Sequence, residues 1–136
     1  MNNSRFSISL HILTLLDKAN GEFLSSDWIA GSININPVLV RKEIINLRKI
    51  GLVESKEGKG GGNKLAKHAG LINLGEVYLS LRQKSILGEN KNEPNPDCFV
   101  GKQINKHLSN LFNEAELALL KNLEKQTLAD FSAKFN

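Results

Sequence analysis

Hydrophobic positions recur along this chain with a helical period almost from its start. Phe6, Leu10, Leu13 and Leu16 form one stripe at steps of three and four residues, and Ile8, Ile12 and Leu15 widen it. This predicts a first helix over residues 4–18 that is contacted on two sides and stopped by Asn20-Gly21. A shorter amphipathic stretch follows. Ser25 or Ser26 caps it, Asp27 falls in its first turn, and Ile29, Ala30 and Ile33 face inward. Ala30 is small where two helices of a helix-turn-helix approach closely. After a turn at Asn34-Ile35, Asn36 caps a third helix, with Pro37 at the first helical position. Val40, Ile44 and Leu47 are its core stripe. Val38, Leu39, Arg41, Lys42, Ile45, Arg48 and Lys49 lie off that stripe, and Gly51 ends the helix.

The pattern then changes. Leu52-Val53 begins one short strand arm and Lys64 to Ala66 forms the other, with Gly58 and Gly60 to Gly62 at the tip between them. A glycine cluster also suits a flexible linker, but arms of suitable length directly after a helix favour a hairpin. Asn73 caps a short fourth helix, Leu74 to Gln83. Gly88 to Asp97 is polar, carries Pro94 and Pro96, and reads as a linker. From Phe99 to about Lys125 a long helix is indicated. Val100, Ile104, Leu108, Leu111, Ala115 and Leu119 form its main stripe, with Phe112, Leu120 and Leu123 on a second edge. Such a stripe is buried against the N-terminal part or against another chain; a partner helix is favoured, hence a homodimer. The tail, with Leu128, Phe131 and Phe135, is expected to pack back on the first helix. The fold class is therefore mainly α with a small β-hairpin: a winged helix-turn-helix DNA-binding domain over 1–87, a linker over 88–97, and a dimerisation helix with its tail over 98–136.

Charge sharpens this picture. The net charge of the 136 residues is +4, but residues 36–67 alone hold eight basic and three acidic side chains. Such concentration is an electrostatic footprint for a polyanion, although a solvated face gives the same composition. No apolar run reaches membrane-spanning length, and the first residues do not read as a signal peptide. A single cysteine, Cys98, rules out an internal disulfide framework and fits a reducing cytoplasm. No nucleophile–base pair or metal motif is visible, so an enzyme is disfavoured.

A recognition helix presents its first residues to base edges in the major groove. Here these are Asn36, Val38, Leu39, Arg41 and Lys42. Arg41 suits guanine, Asn36 suits adenine if capping leaves it available, and Val38 and Leu39 suit thymine methyls unless they pack on the second helix. Lys59, Gly60, Gly61, Gly62, Asn63 and Lys64 form the wing contact with the sugar–phosphate backbone. Arg5, Ser7 and Ser26 complete the candidate DNA-contacting set.

The chain resembles the Rrf-two family of bacterial winged-helix transcription regulators. The resemblance rests on Phe6-Ser7, Leu10 to Leu16, Ser26 to Ala30, Asn36-Pro37, Val40-Arg41, and Leu47 through Val53. It is strongest at Gly58 to Gly62 with Leu65-Ala66, and extends to Cys98 through Gly101 and Thr127 through Asp130. It implies a homodimer bound to a palindromic operator on double-stranded DNA, regulating stress- or redox-related genes, with a repressor the default. Family members that carry an iron–sulfur cluster use three cysteines near the start of the long helix. This chain has only Cys98 there, so no cluster is expected. Asn63 also departs from the family, which often has an aromatic residue after the glycines. Cys98 is read either as a thiol sensor or as a small apolar residue at the interface. The remaining alternative for the whole chain is a winged-helix protein–protein interaction module without specific DNA binding.

Overall fold

A computed structural model describes residues 4–81, 87–88 and 92–136. The first stripe forms α1 (Ser4–Lys18), with Ile12, Leu13 and Leu16 fully buried. Asn20 and Gly21, both at positive φ, turn the chain toward α2 (Ser26–Ile33). Ser25, not Ser26, is its cap: the Ser25 Oγ accepts from the Trp28 N–H at 3.0 Å. Asn34 closes α2 in the left-handed region, and its N–H donates to the Ala30 carbonyl. The next helix, α3 (Pro37–Lys49), starts two residues after Ile35. Val40, Ile44 and Leu47 are buried, as the periodicity predicts.

Gly51 has a positive φ and releases the chain into an antiparallel hairpin, β1 (Val53–Lys56) and β2 (Gly62–Leu65). Its register pairs Val53 with Leu65 and Lys56 with Gly62. Leu24, between α1 and α2, forms an isolated bridge with Asn63 and so adds a single-residue third rung. A short 3-10 turn, Ala69–Leu71, leads to α4 (Leu74–Leu81). The expected end of this helix at Gln83 lies outside the described residues, as do 89–91 of the expected linker and residues 1–3 and 82–86 of the expected first domain.

The long helix α5 (Gly101–Glu124) is followed by α6 (Leu128–Ser132), which opens with a capping box between Thr127 and Asp130. One core gathers α1, α2, α3, the hairpin, α4 and Leu128 of α6. The tail packs on α1, and the Leu128 N–H donates to the Ile72 carbonyl at 2.8 Å. Among the described residues, no helix is long and apolar enough to cross a membrane.

The long helix divides its apolar surface between two directions. Its second edge faces the chain's own α4: a Cβ on Gly75 would meet Glu124 Cγ and Leu120 Cδ1, so the two helices touch closely there. Glu116 is buried on this side, with the Tyr78 hydroxyl donating to its Oε1 at 3.3 Å. The first edge stays open: Val100 is 61% and Leu111 57% exposed, and Ala115 is also exposed. Ile104, Leu108 and Leu119 are partly covered.

Candidate nucleic-acid interface

The start of α3 is a fixed platform. Asn36 Oδ1 accepts from the Val38 N–H at 2.9 Å, and Pro37 supplies a helical φ at a position with no donor to satisfy. Asn36 thus caps α3, as its type and position imply. Bidentate reading of adenine would use this same Oδ1, which keeps a second lone pair beside the cap bond, together with Nδ2. Val38 and Leu39 project from the platform, Val38 being 62% and Leu39 46% exposed. Neither is buried against α2; they stand beside exposed Arg41 and Lys42 as apolar points on a basic surface. Trp28 on α2 is also more than half exposed.

Arg41 is not a free side chain. Its Nη2 donates to Asp27 Oδ1 at 3.0 Å, which joins the first turn of α2 to the first turns of α3. Sequence reading saw Asp27 only as a helix-start acid; two residues fourteen positions apart give no local signal of pairing.

Two of the expected contacts also have structural duties. Arg5 is held by Glu43: its Nε lies 2.9 Å from Oε2, and its Nη2 donates to Oε1 at 3.0 Å. Glu43 is only 3% exposed, so the bidentate pair satisfies a buried carboxylate on the inner face of α3. The hydrogen bond to Glu43 holds the Arg5 guanidinium above its ordinary pKa, with burial opposing the shift. Asn63 is likewise turned inward at 5% exposure. Its Nδ2 donates to the Leu24 carbonyl at 3.0 Å and to Ser26 Oγ at 3.3 Å, and its Oδ1 accepts from Ser55 Oγ at 2.6 Å. Ser26 is thereby part of the wing's anchor.

The wing glycines serve geometry first. Gly58 and Gly60 take positive φ, and a Cβ on Gly61 would collide with the Lys56 carbonyl. At Gly62 a Cβ would lie 2.7 Å from the Leu24 carbonyl carbon and oxygen. The tip they create is exposed and carries Lys59. Lys64 pairs with Glu54 at 3.2 Å and sits 5.0 Å from the Phe23 ring centroid; Lys56 lies over the same ring at 5.9 Å. Among the described residues, Lys42, Arg48, Lys49 and Lys59 carry no ion pair with an acidic side chain, so both α3 and the wing tip carry uncompensated positive charge.

Comparison with known proteins agrees with this geometry. A family model described as "Rrf2: Iron-dependent Transcriptional regulator" matches residues 2–134. The chain is 37% identical over 130 residues to a Bacillus subtilis protein named as the HTH-type transcriptional regulator YwnA, covering 96% of each. It is 33% identical over 123 residues to the HTH-type transcriptional regulator NsrR of Bacillus licheniformis, covering 90% of this chain and 85% of that one. A crystal structure of a transcriptional regulator from Lactobacillus plantarum superposes with a TM-score of 0.82 at 25% identity, over 98% of this chain and 90% of that one. Helix-turn-helix, wing and long helix thus recur together over nearly the whole length, and the chain belongs to the Rrf2 family of DNA-binding transcriptional regulators.

Proposed function

We propose that this chain is a dimeric, sequence-specific repressor of stress- or redox-related genes that binds a two-fold symmetric operator without an iron–sulfur cluster. The observation that carries the reading is the start of α3: Val38 and Leu39 exposed beside Arg41 and Lys42, on a helix end fixed by Asn36 and Pro37. Aliphatic side chains meet thymine methyls, Arg41 reads guanine, and Lys42 and the Lys59 tip neutralise phosphates. The open edge of α5 supports pairing between copies through Val100, Ile104, Leu108, Leu111, Ala115 and Leu119, an arrangement that matches protein symmetry to a palindromic site.

The residues present do not fit the iron that the family description implies. The sequence has one cysteine, Cys98, and among the described residues no group of three or more His, Cys, Asp or Glu is placed to hold a metal. Thiolate ligation of a cluster needs more donors than this. Cys98 is exposed just ahead of α5, so burial within its own chain is not its role. A thiol sensor there would act by a mixed or intersubunit disulfide. Peroxide or a disulfide reagent titrated into the DNA complex tests it: loss of binding in wild type but not in Cys98→Ser supports the sensor, and equal loss in both sinks it.

Selection of bound duplexes from a random pool tests the reading as a whole. The expected product is an enriched palindrome with half-sites about 34–36 Å apart, one turn of duplex or a multiple of it. Retention without enrichment would exclude sequence-specific recognition.

A further inference from the structure

The hairpin is too small to hold its own place. Two paired strands alone are marginal in water, and this one pairs only four residues on each arm. Its β1 is exposed beyond Val53. On the second arm Asn63 is the one buried residue, between half-buried neighbours. Its backbone N–H donates to the Leu24 carbonyl at 2.8 Å, and its own carbonyl accepts from the Leu24 N–H at 2.9 Å. Its side-chain amide donates to the same Leu24 carbonyl and to Ser26 Oγ, while Ser55 on the facing strand donates to its Oδ1. Five hydrogen bonds therefore converge on one residue. They reach three elements: the α1–α2 connection, the first residue of α2, and β1. Gly62 beside it lets the two backbones meet, since any Cβ there would strike Leu24.

We propose that Asn63 is the positioning residue of the wing: it locks the hairpin to the start of α2 and so sets where the Lys59 tip meets DNA relative to α3. It touches no DNA itself. A buried amide of this kind can hold one arrangement only, because any other leaves its donors or acceptor unpaired. An apolar residue at this position could cover Leu24 but could not bond Ser26 and Ser55 together. The tip then becomes an extension of the helix-turn-helix rather than an independent arm.

The inference rests on the wing contacting DNA, and the test separates the two. Binding to a duplex selected by the wild-type protein is measured against salt for wild type, Lys59→Ala, Asn63→Ala and the double variant. In the wild-type background Lys59→Ala is expected to weaken binding several-fold at low salt and to reduce the log–log salt slope by about one. In the Asn63→Ala background the same change is expected to alter affinity by less than about two-fold, because the tip is no longer held in register. Asn63→Asp, which removes both amide donations while keeping the size, is expected to give the same cancellation and serves if Asn63→Ala does not fold. A Lys59 penalty of equal size in both backgrounds would overturn the positioning role. Absence of any Lys59 effect in wild type would overturn the wing contact beneath it.

Discussion

Arg41 is paired in the free protein: its guanidinium lies 3.0 Å from the Asp27 carboxylate, with more than half of each side chain exposed. An exposed pair of this kind adds only about 0.2–1 kcal/mol to stability. On the proposed reading its larger effect is on recognition, because a carboxylate beside Arg41 repels phosphate and holds the guanidinium in one direction. Asp27→Asn is expected to leave thermal unfolding within a degree or two of wild type. It should tighten binding to unrelated duplexes several-fold at low salt and narrow the gap between selected and random sequence. Arg41→Ala should cost about 1–3 kcal/mol on the selected site and relax preference at one base pair per half-site. A competition assay with permuted duplexes reads both; unchanged affinity and preference in Arg41→Ala would remove it from base reading.

The buried pair on the opposite face of α3 behaves differently. Arg5→Ala leaves the Glu43 carboxylate buried without its partner, at an expected cost of about 2–3 kcal/mol, below the range for a fully buried pair because Arg5 is a quarter exposed. Replacing both, with Arg5→Met and Glu43→Leu, should recover most of that loss. The pH sign follows from the raised Arg5 value. A raised base contributes fully below its unfolded pKa and loses that contribution only as pH climbs through the folded one; for arginine both lie in strong alkali. The Arg5→Ala penalty measured by denaturant unfolding should therefore not vary through ionisation of Arg5 between about pH 6 and 9. A penalty that faded across that window would contradict the assignment.

At Gly62 the constraint is backbone on backbone. Gly62→Ala places a methyl against the Leu24 carbonyl, at a φ of +140° that L residues avoid. A cost of about 1–3 kcal/mol is expected. Amide exchange should accelerate at Asn63 and Leu24 while the α1 amides near Leu13 stay protected. Uniform acceleration would mean that the wing and the core open together.

The open edge of α5 predicts its own test. Leu111→Asp places a charge in the proposed seam, and sedimentation should shift from dimer toward monomer with the helix content retained. DNA affinity should fall steeply, since a two-site interaction becomes a one-site interaction. A Leu111→Asp protein that remains dimeric would move the seam elsewhere.

Anaerobic incubation with ferrous iron and sulfide, followed by desalting, should leave no visible absorbance band above that of Cys98→Ser treated alike. A stable band in wild type would refute the cluster-free reading.

Local signals made most of the fold readable. The Asn36-Pro37 start, the Asn34 turn and the Gly51 stop depend on neighbours in the chain, and each lies where the pattern puts it. What remained hidden depends on distance in sequence. Glu43 sits among basic and apolar residues and reads as one more surface charge; only the fold brings Arg5 to it from 38 positions away. Asn63 stands in a glycine-rich basic run, which invites a DNA-contacting reading; its burial comes from Leu24 crossing beneath the hairpin. The two edges of α5 were both visible, but their assignment to α4 and to solvent required knowing where α4 lies.

The hooked end of α5 has a mechanical consequence. The Leu74 N–H donates to the Gln126 carbonyl, Asn73 Nδ2 donates to the Glu124 carbonyl, and Thr127 bridges Asn73, so the C-terminal end of this helix is riveted to the body that carries α3. Beyond its contacts with Tyr78 and Gly75, at Glu116 and Leu120, the helix runs on toward Gly101 as a beam, about 36 Å long over its 24 residues. In a dimer joined along that beam, a small rotation at the joint between Gly75 and Leu120 is multiplied at the far recognition helix. On the proposed dimer, the half-site spacing an operator can have would then depend on a glycine at the α4–α5 contact rather than on the residues proposed to face DNA.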